Sequence, residues 1–131
     1  ELQKVAVLGR GRFGLVELCR RGPGEELCAL KTVPKALVAR TEQLKRQALI
    51  EKFVLEMTDS PFITKLLQTD QNEQEIFFLL EPALGGELHR VYLKERLHGQ
   101  EGHARYYAAS AACALEHLHA RSVAYRDLKP E

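Results

Sequence analysis

Gly9, Gly11 and Gly14 lie just after a β-rich run, Val5 to Leu8, and the residues next to them limit the fold more than any other stretch of the chain. A dinucleotide fingerprint of this spacing requires a long helix next. Here Leu15 to Cys19 is β-rich instead and stops at Gly22-Pro23-Gly24, a turn signal, before a third β-rich run from Leu27 to Val33. The pattern predicts a three-stranded antiparallel meander whose first bend is made of glycines. Such a bend can lie over phosphates through its backbone N–H groups; taken alone, it is equally a hairpin that holds nothing.

Thr41 can cap a helix reaching about Met57, with Leu44, Ala48, Glu51 and Leu55 on one face. Two further strands are expected near Ile63 to Gln68 and Glu75 to Leu80, joined by the polar turn Asp70-Gln71-Asn72-Glu73. Five strands and one helix would form a first unit over residues 1–80. Proline and paired glycines in Glu81-Pro82-Ala83-Leu84-Gly85-Gly86 then break both periodicities and mark a connection, 81–86. Residues 87–131 carry a short helix from about Glu87 to Leu97 and a longer one from about Glu101 to Arg121. The longer one has Ala104, Ala108, Ala111, Leu115 and Leu118 on one stripe.

Charge excludes some partners. Nineteen Lys and Arg against 18 Asp and Glu leave no field of one sign, so neither a nucleic-acid groove nor an anionic membrane surface is implied. The longest apolar run, Ile76 to Leu80, falls far short of the roughly 20 residues of a membrane span. Cys19, Cys28 and Cys113 are odd in number, widely spaced and set in apolar segments. That usage reads as buried thiols in a reducing, cytoplasmic compartment.

Two residues break the apolar pattern and share one remedy. Lys31 ends the run Ala29-Leu30-Lys31 inside an apolar strand, and a buried ammonium needs an anionic partner. Glu51, inside an apolar helical stripe, has the opposite need. Pairing the two satisfies both and leaves the lysine able to touch a phosphate; otherwise Lys31 simply reaches out to solvent. At the far end, Tyr125-Arg126-Asp127-Leu128-Lys129-Pro130-Glu131 follows Val123-Ala124. It is either a solvated charge run or an extended segment in which Asp127 and Lys129, two apart, point to one side. In that arrangement the carboxylate can accept a proton while the ammonium neutralises a phosphoryl group.

The glycine bend, Ala29-Leu30-Lys31, Glu51 and the segment Tyr125 to Glu131 occur in the order and spacing of a eukaryotic protein kinase, which the chain resembles along its whole length. Lys129-Pro130-Glu131 is similar to the serine/threonine form of the catalytic loop. Tyr125 where histidine is commoner, Ser60-Pro61-Phe62 and Leu84-Gly85-Gly86-Glu87-Leu88 look like the AGC group, and within it the cyclic GMP-dependent kinases.

The resemblance implies an α+β fold: a five-stranded antiparallel N-lobe with helix C, the hinge, and an incomplete helical C-lobe ending in the catalytic loop. It implies ATP, held by Gly9, Gly11 and Gly14 over its phosphates, with Leu8, Val16 and Ala29 sandwiching the adenine, Leu88 beneath and Leu80 behind. The Glu81 carbonyl and the Ala83 N–H would meet the adenine edge. Glu87 would reach the ribose or a substrate arginine, and Glu131 would read an arginine on a basic protein substrate. Lys31, held by Glu51, would grip the α- and β-phosphates; Asp127 would take the hydroxyl proton; Lys129 would neutralise the γ-phosphoryl. Arg126 would await an activation-loop phosphate, and Leu55, Leu66 and Tyr125 match a hydrophobic spine. Mg²⁺ is implied as well, but its ligands, an asparagine and an Asp-Phe-Gly segment, would come after Glu131. The 131-residue chain is therefore expected to be a truncated and inactive catalytic domain. A cyclic-nucleotide-binding regulatory domain would lie before Glu1. The rival reading is a non-catalytic nucleotide-binding pseudokinase or scaffold, which the presence of Lys31, Glu51 and Asp127 together disfavours.

Overall fold

The computed structural model describes residues 2–11 and 14–129. Every β-rich run becomes a strand: β1 (Leu2–Gly11), β2 (Gly14–Arg21), β3 (Glu26–Pro34), β4 (Leu66–Gln71) and β5 (Glu75–Leu80). They form one antiparallel sheet in the order β1-β2-β3-β5-β4, so the meander is present and β5 inserts beside β3. The helices are α1 (Lys35–Val38), α2 (Glu42–Met57), α3 (Leu88–Lys94) and α4 (Glu101–His119).

Alternation along β3 gives the sheet a different cluster on each face. Val33 and Phe78 point toward α1 and α2 and pack with Val38, Ala48, Leu55, Leu66 and Leu80. On the opposite face Cys19, Cys28, Leu30 and Leu79 form a second cluster with Phe77 against it. Leu2 from one edge strand and Gln68 and Asp70 from the other line a single cavity of about 350 Å³ over Leu30 and Leu79. Both edge strands thus reach the space over Leu30 and Leu79, as the twist of a sheet allows, and Cys19 and Cys28 are buried in the cluster beneath it.

Several expectations change in detail. Helix α1, absent from the expected elements, starts at Pro34, which already has the extended backbone of an N-cap residue, and its Lys35 N–H donates to the Gln74 carbonyl (2.8 Å). The cap of α2 is the expected one: the Thr41 hydroxyl accepts from the Leu44 N–H at 3.2 Å. Strand β4 begins at Leu66 rather than near Ile63, because Ser60 to Ile63 forms a turn closed by the Ile63 N–H on the Ser60 carbonyl (3.1 Å). It also runs on through Gln71. The bend falls in the second half of the expected turn, at Asn72, whose side-chain oxygen accepts from the N–H groups of Gln74 (2.8 Å) and Glu75 (2.7 Å). Of the three thiols expected to be buried, Cys113 is exposed on α4. Ala104 and Ala108, placed on the inward stripe of α4, are exposed too, while Ala111, Leu115 and Leu118 are covered at least in part.

The chain divides into two compact units, Glu1–Met57 with Thr64–Pro82, and Thr58–Ile63 with Ala83–Glu131. In the second, α3 and α4 meet through Tyr92 and Tyr107, whose rings lie edge to face at 5.9 Å. The segment 58–63 joins this unit by a long-range bond, the Asp59 N–H donating to His117 Nε2 on α4 at 3.3 Å.

Candidate functional site

Residues opposite one another in a sheet share a face, and this rule assembles one part of the site. Lys31 on β3 lies opposite Val16 on β2 and Phe78 on β5; Ala29 lies opposite Leu18 and Leu80; Gly9 lies opposite Val16. Val16, Ala29, Lys31 and Leu80 thus stand on one face, the face that α2 covers further along. Ala29 is buried, Val16 and Leu80 are half-buried, and Leu8, beside the bulge between Val7 and Gly9, is exposed.

Lys31 reaches α2. Its ammonium donates to Glu51 Oε1, with the lysine side chain 18% exposed and the glutamate 36%. Helical spacing places Glu51 on the same half-buried stripe as Leu44, Ala48 and Leu55, and Leu55 packs on the Val33 and Phe78 cluster. Packing of α2 thereby aims the carboxylate at β3.

The three glycines differ. A Cβ on Gly14 would stand 1.9 Å from the Thr32 carbonyl oxygen, so the fold itself forbids a side chain there. Among the described residues no atom lies within 4 Å of where a Cβ on Gly9 or Gly11 would stand, so none of them requires glycine at these positions.

Beyond β5 the Glu81 N–H donates to the Lys65 carbonyl at 2.9 Å, which ties the start of the connection to the lead-in of β4.

In the second unit, Glu87 is the N-cap residue of α3 but makes no side-chain cap bond. Its carboxylate turns to Arg90, whose Nε lies 2.6 Å from Oε2. Sequence reasoning reaches Glu87 and misses Arg90, although the i,i+3 spacing of the pair is the signal that finds it. Leu88 lies half-buried, lining with Tyr92, Tyr107, Ala111, Leu128 and Lys129 a mostly apolar groove of about 480 Å³.

Helix α4 ends in a way that redirects the chain. The Val123 N–H donates to the Leu118 carbonyl (3.0 Å) and the Ser122 N–H to the His119 carbonyl (2.9 Å), while Ser122 takes a left-handed backbone (φ 60°). This is a Schellman closure. Residues 123–129 then run without regular structure, and Arg126 is again left-handed (φ 60°), so the expected uniformly extended run is bent immediately before Asp127. Asp127 and Lys129 are exposed, as is Tyr125. Glu131 lies outside the described residues.

The protein kinase domain model matches residues 2–131. The chain is 40% identical over 131 residues to a cGMP-dependent protein kinase of Toxoplasma gondii, covering 100% of this chain and 13% of that protein. It is 38% identical over 129 residues to the cAMP-dependent protein kinase catalytic subunit PRKX of Mus musculus, covering 97% of this chain and 35% of that protein. With the cGMP-dependent protein kinase egl-4 of Caenorhabditis elegans the identity is 37% over 131 residues, 99% of this chain and 16% of that protein. The chain thus spans about an eighth to a third of the length of these relatives. A five-stranded antiparallel sheet with a lysine-to-helix ion pair, together with a protein kinase domain match over residues 2–131, leads to one conclusion: the chain belongs to the protein kinase domain family.

Proposed function

We propose that this chain supplies the nucleotide-gripping and catalytic-loop parts of an enzyme that transfers the γ-phosphoryl group of ATP to serine or threonine in basic, arginine-containing proteins. The Lys31–Glu51 pair carries this reading. A lysine fixed by a carboxylate on a half-buried sheet face is placed to meet an anion, beside a glycine bend with open space at Gly9 and Gly11. Those features fit a polyphosphate: bare backbone N–H groups can approach it closely, and the ammonium offsets its charge.

In this proposal Val16, Ala29 and Leu80 give the adenine an apolar surface, with Leu8 and Leu88 as further contacts. The Glu81 carbonyl and Ala83 N–H serve its polar edge. Lys31, oriented by Glu51, holds the α- and β-phosphates. Asp127 accepts the proton of the substrate hydroxyl as the new O–P bond forms and the bond to the β-phosphate oxygen breaks, releasing ADP. Lys129 offsets the charge that builds on the γ-phosphoryl group. Most of the acceleration comes from positioning and fixed charge. Among the described residues no cluster of three His, Cys, Asp or Glu side chains could hold a metal ion. Mg²⁺ would neutralise phosphate charge when bound.

Relatives named as cGMP- and cAMP-dependent kinases support a cyclic-nucleotide-controlled enzyme, with the regulatory module as a partner region. Three free thiols support a reducing, cytoplasmic setting. The test is transfer of labelled phosphate from ATP to an arginine-containing serine peptide by the full-length protein carrying this sequence. Lys31→Met and Asp127→Asn should each abolish it, and unchanged turnover in either variant would refute the assigned roles.

A further inference from the structure

Glu87 stands at the N-cap position of α3, where a carboxylate ordinarily accepts hydrogen bonds from the first free N–H groups of the helix. It does not do so here. Its Oε2 takes the Nε–H of Arg90 at 2.6 Å instead, one turn along the same helix, with the two side chains 48% and 79% exposed. The carboxylate therefore already holds a guanidinium, and holds it in the open, where a guanidinium from another chain could replace it.

We propose that Arg90 is a specificity-determining residue that occupies Glu87 in competition with the arginine of an incoming substrate. The idea rests on the reading of Glu87 as a contact for substrate arginine and adds what that reading lacks, a built-in competitor. The chemistry is an exchange of like for like. Planar guanidinium groups make the same charge-assisted bonds to a carboxylate, so the substrate's arginine gains only what remains after displacing Arg90. An exposed ion pair contributes little and is screened by salt. The competitor should therefore weaken arginine recognition by a small factor, and salt should shrink that factor.

Binding tests this without requiring phosphotransfer. A fluorescent serine peptide with one arginine on its N-terminal side, and the same peptide with neutral citrulline there, are titrated into the full-length protein by anisotropy at low and at moderate salt. Arg90→Gln is expected to raise the preference for arginine over citrulline about two- to fivefold at low salt, and by less at higher salt. Glu87→Gln is expected to lower the preference sharply whether or not Arg90 is present, and to abolish the effect of Arg90→Gln on it. If Glu87→Gln lowers the preference sharply but Arg90→Gln leaves it unchanged or lowers it, Arg90 is only a helix-surface partner and the proposal fails alone. If Glu87→Gln leaves the preference intact, Glu87 is not an arginine contact, and the proposal falls together with the reading beneath it. A change confined to ATP affinity in Glu87→Gln would assign the carboxylate to the nucleotide and would also overturn it.

Discussion

Glu51 on α2 accepts a hydrogen bond from the ammonium of Lys31 on β3, twenty residues earlier in the chain, and each side chain is at least partly withdrawn from water. Neither residue fits its own element's apolar pattern. Together they bridge the sheet and α2. The pair fixes a positive charge on the sheet face that also carries Val16, Ala29 and Leu80.

Within the glycine bend, fold and function separate by position. Gly14→Ala drives a methyl group into the Thr32 carbonyl and should destabilise the sheet by roughly 1–3 kcal/mol. Gly9→Ala and Gly11→Ala meet no atom of the described residues, so thermal unfolding should change little while ATP binding weakens. Melting curves with and without ATP for the three variants check this. Equal loss of stability in all three would refute the division.

The two units should differ in protection. Both packed clusters of the sheet lie in the first, whereas Leu118 and Thr58 alone are buried among the described residues of the second. Exposed Leu84, Leu93, Tyr106 and Leu128 add apolar surface to that unit. Amide hydrogen exchange on the 131-residue chain should show slow exchange in β2, β3 and β5 and fast exchange in α3 and α4, with dye binding to apolar surface. Uniform protection of both units would contradict it.

Thiol chemistry should sort by burial and by pH. Burial raises the pKa of Cys19 and of Cys28 above the ordinary thiol range. A group whose folded pKa is raised contributes stability that is fully present below its unfolded pKa and is lost as pH rises through the folded value. The hydrogen bond to Glu17 raises the Lys4 pKa, in the same sense at still higher pH. Stability should therefore decline from about pH 9 upward. At about pH 8, iodoacetamide should modify exposed Cys113 quickly and Cys19 and Cys28 only on unfolding. Mass spectrometry of the alkylated peptides reads this directly, and rapid labelling of Cys28 would contradict it.

Much of the architecture is legible in the sequence because local signals agree with it. The Gly22-Pro23-Gly24 turn, the Thr41 cap and the two polar anomalies Lys31 and Glu51 each mark their own place. Helix α1 is not legible: Lys-Ala-Leu-Val is too short for a helical period, and its start is set by a bond to Gln74, thirty-nine residues away. The attachment of residues 58–63 to α4 is equally hidden, since it depends on His117 meeting a backbone N–H across 58 residues of sequence. Cys113 sits in an alanine-rich stretch that looks buried by composition, yet helical phase turns it outward. Arg126 reads as part of an extended run, and no residue-type signal marks a left-handed arginine.

The central claim is that Lys31 and Glu51 grip a nucleotide, and ATP titration of the isotopically labelled chain tests it most directly. The amide resonances of Gly9, Gly11 and Lys31 should shift with ATP. The affinity should fall about tenfold, equivalent to about 1.4 kcal/mol, in Glu51→Gln, and binding at these residues should vanish in Lys31→Met. Resonances that stay fixed at millimolar ATP, or a Lys31→Met chain that binds as well as the original, would contradict it.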